Sequence, residues 1–206
     1  MAIQTENKLT PADNNDLRGR DLLRDRGILN SALQANWICG DNGFTYPIHN
    51  FDGICVAQRF KNYDSHAPKY KYYWIGKNKS RKKPDGADYY FVGDIRQAVK
   101  NAKGLLYIAN GEPSVLAHYS AGINNVLSWF GESSIPKTLI EDFKHLGVTL
   151  LIYAPDNDDA GRESATKLRD ILYNTDIQLS VLDISAQVDD KGDTNDLWIH
   201  TQFNSD

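Results

Sequence analysis

LLIYAPDNDDAG, residues 150–161, joins an apolar run to three carboxylates and a glycine. The apolar run spans residues 148–154 and is short enough for a buried strand. Pro155 suits the end of that strand because proline has no N–H to donate to a sheet ladder. Apolar residues recur at helical spacing after Gly161. The stretch therefore predicts a strand, a turn and a helix, with carboxylates where open α/β sheets place their ligands.

Two interpretations of the carboxylate turn stay open from this stretch alone. Asp156 and Asp158 are two positions apart, and side by side they repel each other unless a cation lies between them. Oxygen ligands suit Mg²⁺, which typically takes one or two carboxylates and completes its shell with water and phosphate. In the alternative, the turn only starts a helix, with Asp159 as N-cap and Asp158 favoured by the helix dipole.

Strand and helix patterns alternate from Leu105 onward, which predicts a parallel sheet covered by helices. The predicted strand 105–109 ends at Asn110, followed by Gly111 and Glu112. Because the carboxyl ends of parallel strands lie at one edge of a sheet, this strand end and the one at Asp156 fall on the same rim. The convergence of polar groups from two strand ends predicts an active site there.

Residues 59–83 form a basic and aromatic tract in an otherwise acidic chain. Nine Lys and Arg residues stand there against one acidic residue, Asp64, whereas the whole chain has a net charge of −4. Cations interleaved with flat rings suit single-stranded nucleic acid, since charges follow the phosphates while rings stack on bases. The alternative is a solvated strand edge, which lysines commonly protect, with the aromatic rings facing a core.

Composition places the chain among ordinary globular proteins, with 206 residues, 41% of them hydrophobic and 24% charged. Cys39 and Cys55 form no Cys-x-x-Cys pair, so we expect neither a disulfide framework nor a zinc site in this chain. The N-terminus is polar and the sequence has no long apolar run, which predicts a cytoplasmic protein without a signal peptide or a membrane partner.

The motifs, taken in order, resemble a known family. A strand followed by Asn-Gly-Glu at 110–112, and a second strand followed by Asp-Asn-Asp-x-Ala-Gly-Arg at 156–162, resemble the Toprim domain of bacterial-type DNA primases, topoisomerases and some nucleases. Phe-x-Tyr-Pro-Ile at 44–48, Arg59 and Pro-Lys-Tyr at 68–70 resemble the subdomain that precedes Toprim in primases. Lys-Gly-Asp-Thr-Asn-Asp-Leu at 191–197 is similar to the closing motif of phage and plasmid primases.

This resemblance implies an architecture and a function. The fold class is α/β: a Toprim-like parallel sheet flanked by helices at 104–206, preceded by a smaller α+β primase-like subdomain at 16–103 and a flexible N-terminus at 1–15. The implied activity is that of a DNA primase core, a nucleotidyltransferase that makes RNA primers on single-stranded DNA from ribonucleoside triphosphates, with Mg²⁺ or Mn²⁺ as cofactor and a replicative helicase as a further partner. The alternatives are a catalytically reduced Toprim module that binds single-stranded nucleic acid or nucleotides, and a Toprim nuclease.

The resemblance also carries over site residues. Asp156, Asp158 and Glu112 are the expected catalytic residues and, with Asn110, the expected metal ligands. Asn110 stands where the family normally has Glu, and its amide oxygen can bind a cation but cannot move a proton. Glu112 either replaces that acid or is a carboxylate at a helix start favoured by the dipole. The expected contacts to nucleic acid and nucleotide are Arg59, Lys61, Lys69, Tyr70 and Lys71.

Overall fold

The computed structural model describes residues 17–63, 71–75, 83–131 and 134–203. These ranges fold into two sheets with helices packed on them. In chain order the elements are α1 (Leu17–Asp25), α2 (Leu29–Gln34), β1 (Ile38–Gly40), β2 (Gly43–His49), β3 (Cys55–Asn62), β4 (Tyr72–Ile75), β5 (Tyr89–Tyr90), α3 (Ile95–Asn101), β6 (Leu105–Ala109), α4 (Gly111–Ser120), β7 (Val126–Trp129), α5 (Leu139–Leu146), β8 (Leu150–Ala154), α6 (Asp159–Leu172), β9 (Gln178–Val181) and α7 (Thr194–Phe203).

The first sheet is antiparallel, with strand order β1-β2-β3-β4. Tyr46 of β2 stacks on Trp37, which directly precedes β1, at 4.4 Å between ring centroids, and the Trp37 indole N–H donates to the Tyr90 hydroxyl at 2.8 Å. Gly27, at φ +66°, separates the two short helices that precede the sheet. Strand β4 lies in the basic tract, so part of that tract forms the edge of this sheet.

The second sheet has strand order β5-β7-β6-β8-β9, and β7, β6, β8 and β9 run parallel. The apolar runs Leu105–Ala109 and Leu150–Ala154 pair residue for residue, and the last two residues of each run are buried. The predicted fold class is confirmed. The sheet also takes an antiparallel edge strand, β5, from upstream of residue 104.

The register of this sheet fixes the position of the candidate site. Ala109 at the end of β6 pairs with Ala154 at the end of β8, and the two strands run parallel. The chain therefore leaves both strands on the same rim, at Asn110 and at Pro155. The predicted meeting of these two strand ends is confirmed.

The last helix, α7, contacts the segment that follows α1 and so connects the C-terminal part of the chain to its first half. Asn195, at the start of α7, bonds to Arg26, and the indole N–H of Trp198 donates to the carbonyl oxygen of Gly27 at 3.0 Å. Within the described ranges, no helix is both long and apolar enough to cross a membrane.

Candidate active site

A cleft of about 490 Å³ lies between the first sheet and the rim of the second. Polar and charged side chains reach it from both halves of the molecule. From the first half these are Arg26, Arg59, Lys61, Asn62, Lys71 and Tyr72; from the second they are Asn110, Glu112, Asp156 and Asp193. Among the predicted site residues in the described ranges, Arg59, Lys61, Lys71, Asn110, Glu112 and Asp156 thus line one cleft, whereas Asp158 is not among its lining residues.

Two strand ends supply the rim of the cleft. Asn110 occupies the N-cap position of α4 in an extended conformation, and its side chain makes no capping hydrogen bond. The Tyr153 hydroxyl lies 3.4 Å from Asn110 Oδ1 and 3.0 Å from Ser164 Oγ, which links the two strand ends to helix α6. Asp156 follows β8 on the same rim and is half-buried.

The carboxylate turn has a defined geometry because helix α6 starts directly against it. Gly161 packs on the backbone of Asp156, and a Cβ at this position would overlap the Asp156 carbonyl oxygen. The Gly161 N–H donates to Asp158 Oδ1 at 2.8 Å. Asp158 is therefore the N-cap of α6, whereas Asp159, predicted as the cap, lies in the first turn and forms an exposed ion pair with Arg162. The cap falls one residue earlier because Gly161 can approach the turn closely.

Asn157 connects this turn to the acidic loop near the C-terminus. Its N–H donates to the Gly192 carbonyl at 2.8 Å, its carbonyl accepts from the Lys191 N–H at 2.9 Å, and its amide donates to the Asp189 carbonyl at 3.2 Å. The loop is thereby held against the rim, which brings Asp193 to the cleft.

Asp193 also starts helix α7. Its Oδ1 accepts from the N–H groups of Asn195 and Asp196 at 2.7 and 3.0 Å, and Asp196 Oδ2 accepts from the Asp193 N–H at 2.9 Å. This reciprocal pattern is a capping box. Burial and the nearby carboxylate of Asp196 raise the pKa of Asp193 above its usual value.

Glu112 lies in a buried network that joins the two sheets. Its Oε1 accepts from the Tyr46 hydroxyl at 2.8 Å and forms an ion pair with Arg59 Nη1, and its side chain is only 4% exposed. Burial by itself raises the pKa of Glu112, but the charges of Arg59 and Lys61 and the bond from Tyr46 outweigh burial, so the pKa lies below its usual value. Glu112 is therefore an ionised carboxylate facing the first sheet.

The guanidinium of Arg59 is enclosed by aromatic rings as well as paired with Glu112. Its Cζ lies 4.5 Å from the ring centroid of Tyr72, 5.2 Å from that of Trp74 and 4.4 Å from that of Phe130. Cation–π contacts of this kind add to the ion pair and fix the guanidinium in place. The pairing with Glu112, 53 positions away, has no local signal in the sequence.

Two lysines of the basic tract line the same wall. Lys61 Nζ and Lys71 Nζ lie 5.5 and 5.7 Å from the centroid of the Tyr72 ring. Burial lowers the pKa of Lys61 to about 8, against the opposing effect of Glu112. Lys69 and Tyr70, also predicted to bind nucleic acid, lie outside the described residues.

Sequence reasoning missed one cation of the cleft, Arg26. It lies on the segment after α1 and lines the cleft, and its guanidinium donates to Asn195 Oδ1 at 3.2 Å. The partner is 169 positions away, so only the three-dimensional structure reveals the contact. The sequence signal nearest to it is the break at Gly27, which turns the chain there.

The oxygen donors that line the cleft suit a metal site in which a phosphate of the substrate supplies further ligands. In the parts of the chain that the structure describes, no group of three or more His, Cys, Asp or Glu side chains is arranged to hold a metal ion. Glu112 is turned toward Arg59, and one oxygen of Asp158 caps α6. A carboxylate offers further lone pairs, and Mg²⁺ commonly takes only one or two carboxylates beside phosphate and water. Asp156 lines the cleft, and Asp158 lies two positions on in the turn, so a metal ion here would draw on Asp156 first.

Comparison with known proteins shows what this chain is similar to. Residues 107–198 match the Toprim-like family model. No curated protein sequence matches the chain. Solved structures with a similar fold include the DnaG primase catalytic domain bound to single-stranded DNA (20% identity, TM-score 0.57, 89% of this chain and 55% of that one) and a DNA primase domain from Pseudomonas aeruginosa (19%, 0.58, 81% and 53%).

The primase fragment of the bacteriophage T7 primase-helicase protein is similar as well, at 18% identity and a TM-score of 0.59 over 88% of this chain and 70% of that one. The chain spans about half the length of the cellular primase structures that it matches. At these identities the likeness concerns the fold. Residues 107–198 are thus similar to the Toprim-like family model, and the fold of the chain resembles that of the DNA primase structures.

Proposed function

We propose that the chain is the core of a primase-type nucleotidyltransferase that makes RNA primers on single-stranded DNA. The observation that carries this proposal is the composition of one cleft. Asp156 on the rim of the second sheet lines the same cleft as Arg26, Lys61, Lys71 and Tyr72. Carboxylates opposite cations suit a metal-bound triphosphate, and cations beside rings suit a single strand.

Asp156 and Asp158 would hold Mg²⁺ or Mn²⁺, with Asn110 and Glu112 as the further ligands expected from the neighbouring strand end. When bound, the metal lowers the pKa of the attacking hydroxyl and neutralises charge on the phosphates. The reaction joins the primer 3′-oxygen to the α-phosphorus of a ribonucleoside triphosphate, breaks the bond to the bridging oxygen of the β-phosphate and releases pyrophosphate, while the hydroxyl proton passes to water.

The protein's own contribution is positioning and charge. Lys61, Lys71 and Arg26 neutralise phosphates of the triphosphate or of the template, and the Tyr72 ring offers a face for stacking. Arg59 remains a proposed contact to phosphate. Its ion pair with Glu112 and its aromatic surroundings add a second role, which is to hold β3 and β4, with Lys61 and Tyr72, against Glu112. Lys69 and Tyr70 remain proposed contacts to the strand.

The proposed partners are single-stranded DNA and ribonucleoside triphosphates, with a replicative helicase as a further partner. One similar structure is bound to single-stranded DNA, and another is a fragment of a primase-helicase protein. These likenesses support the proposal through the fold that the proteins share with this chain.

The test is a primer-synthesis assay. The chain is supplied with single-stranded DNA, the four ribonucleoside triphosphates and Mg²⁺ or Mn²⁺, and short RNA is measured. We expect template-dependent RNA that EDTA abolishes. Absence of RNA under all these conditions, with strand binding retained, would overturn the proposal.

That second outcome defines the alternative, a Toprim-fold module that binds single-stranded nucleic acid or nucleotides without chemistry. Two observations favour this alternative. Asn110 occupies the position of the family acid, and Glu112, the nearest carboxylate in sequence, is paired with Arg59. The alternative predicts that the strand or nucleotide binds and is recovered unchanged.

A further inference from the structure

Asn195 is fully buried, and its side chain makes two hydrogen bonds to one residue of the other half of the molecule. Its amide Nδ2 donates to the Arg26 carbonyl at 3.0 Å, and its Oδ1 accepts from Arg26 Nη1 at 3.2 Å. The exposed fraction of Asn195 is 0%, although amides usually lie in contact with water. Burial of an amide is favourable only when its polar groups are hydrogen-bonded, and the two bonds to Arg26 offset the cost of burying this one.

The double contact fixes both ends of Arg26. One bond holds the backbone after α1, and the other holds the guanidinium of this cleft-lining residue. Arg26 is otherwise exposed, and an exposed arginine samples many rotamers and loses side-chain entropy when it is immobilised. A guanidinium that is already held loses less of that entropy when it binds phosphate.

The backbone of Asn195 connects the same residue to the acidic side of the cleft. Its N–H donates to Asp193 Oδ1 at 2.7 Å. A single buried residue therefore sets the position of one cation and one carboxylate that face the cleft from opposite halves of the chain.

We propose that Asn195 is a positioning residue that holds Arg26 ready for phosphate oxygens of the nucleotide or of the strand. This inference rests on the proposed function for the identity of the ligand, but it concerns binding and is tested without catalysis.

The experiment is a double-mutant cycle of Asn195→Ala and Arg26→Ala, read as Kd by fluorescence anisotropy at several salt concentrations. One arm uses a labelled single-stranded oligonucleotide without nucleotide, and the other a labelled ribonucleoside triphosphate without DNA. The arm that responds identifies which phosphate Arg26 contacts. We expect each single variant to weaken binding several-fold in that arm and to lower the salt slope by about 0.7 for the strand, as for the loss of one phosphate contact.

The decisive result is the double variant. If Asn195 acts through Arg26, adding Asn195→Ala to the Arg26→Ala protein leaves Kd and salt slope unchanged, whereas a general loss of structure weakens binding equally in both backgrounds. Trp198→Phe is the matched control, because it removes the neighbouring bond from α7 to Gly27 and leaves Arg26 untouched. It should lower the melting temperature without changing the salt slope.

Equal effects of Asn195→Ala in both backgrounds, or no effect of either single variant in both arms, would overturn the inference. Neither result bears on primer synthesis, which is measured separately. Conversely, a protein that makes no primer still shows the coupling if Asn195 positions Arg26.

Discussion

The carboxylate of Glu112 has the most constrained surroundings of the predicted site residues that the structure describes. Its charge is balanced by Arg59, whose side chain is itself 13% exposed and enclosed by rings. Removing one partner of a buried pair leaves the other charge uncompensated, which costs about 3–5 kcal/mol. The network between the two sheets therefore depends on this one carboxylate.

We expect Glu112→Ala to lower the free energy of unfolding by about 3 kcal/mol, because Arg59 loses its counter-ion. Glu112→Gln should cost less, since an amide oxygen still accepts from Tyr46. Urea denaturation measures both values. Glu163→Ala, at an exposed ion pair with Lys167, is the control and should change stability by less than about 0.5 kcal/mol. An equally small effect at Glu112 would contradict the network.

The lowered pKa of Glu112 predicts the direction of its pH dependence. Since the folded pKa lies below the usual value of 4.5, ionised Glu112 stabilises the fold above that value, and the contribution is lost as pH falls through the folded pKa. Asp193 has a raised pKa, so its contribution to stability changes with pH in the opposite direction. It is the same in wild type and in Glu112→Gln, and it therefore cancels in the difference between them. The difference in unfolding free energy between wild type and Glu112→Gln should therefore shrink below pH 4.5; a difference that stays constant to pH 2.5 would rule this out.

The carboxylate turn is the element whose shape the sequence predicts best. A strand, a break at Pro155 and a helix were all readable from apolar spacing, and β8 and α6 follow that pattern. The meeting of Asn110 with this turn was also predictable, because parallel strands place their ends on one rim. The cap at Asp158 was not, since it depends on how closely Gly161 packs against the turn.

The partners of the cleft cations Arg59 and Arg26 could not be predicted from the sequence, for a different reason. The contacts of Arg59 with Glu112 and Phe130, and of Arg26 with Asn195, join residues that are far apart in the chain. A pattern of charges predicts that a cation will find an anion, but not which one. The basic tract therefore indicated a nucleic-acid surface without revealing that one of its arginines is already paired.

We expect Gly161→Ala to destabilise the protein although alanine favours helices over glycine by about 1 kcal/mol. The added Cβ overlaps the Asp156 carbonyl oxygen, so the turn must shift, and the rim carboxylates shift with it. Thermal unfolding and the Mg²⁺ dependence of ligand binding measure the two effects. Lys167→Ala on the exposed face of α6 is the control, and an increase in stability for Gly161→Ala would show that the turn is not closely packed.

At the scale of the molecule, α7 and the Glu112 network couple the two sheets. Tryptophans report from both halves, Trp37 and Trp74 near the first sheet and Trp129 in the second. We expect the fluorescence and far-ultraviolet circular dichroism transitions to coincide in denaturant, as for one cooperative unit. Two separated transitions would mean that the halves unfold independently and that the cleft is a weak contact.

The central proposal is that Asp156 holds the metal of a nucleotidyltransferase in this cleft. The direct measurement is primer synthesis by Asp156→Ala beside Asp159→Ala, with strand binding determined for both. Asp159 is a fully exposed carboxylate three residues away and serves as the matched control. We predict that Asp156→Ala makes no RNA while it still binds the strand, and that Asp159→Ala keeps wild-type activity. Undiminished synthesis by Asp156→Ala would contradict the claim.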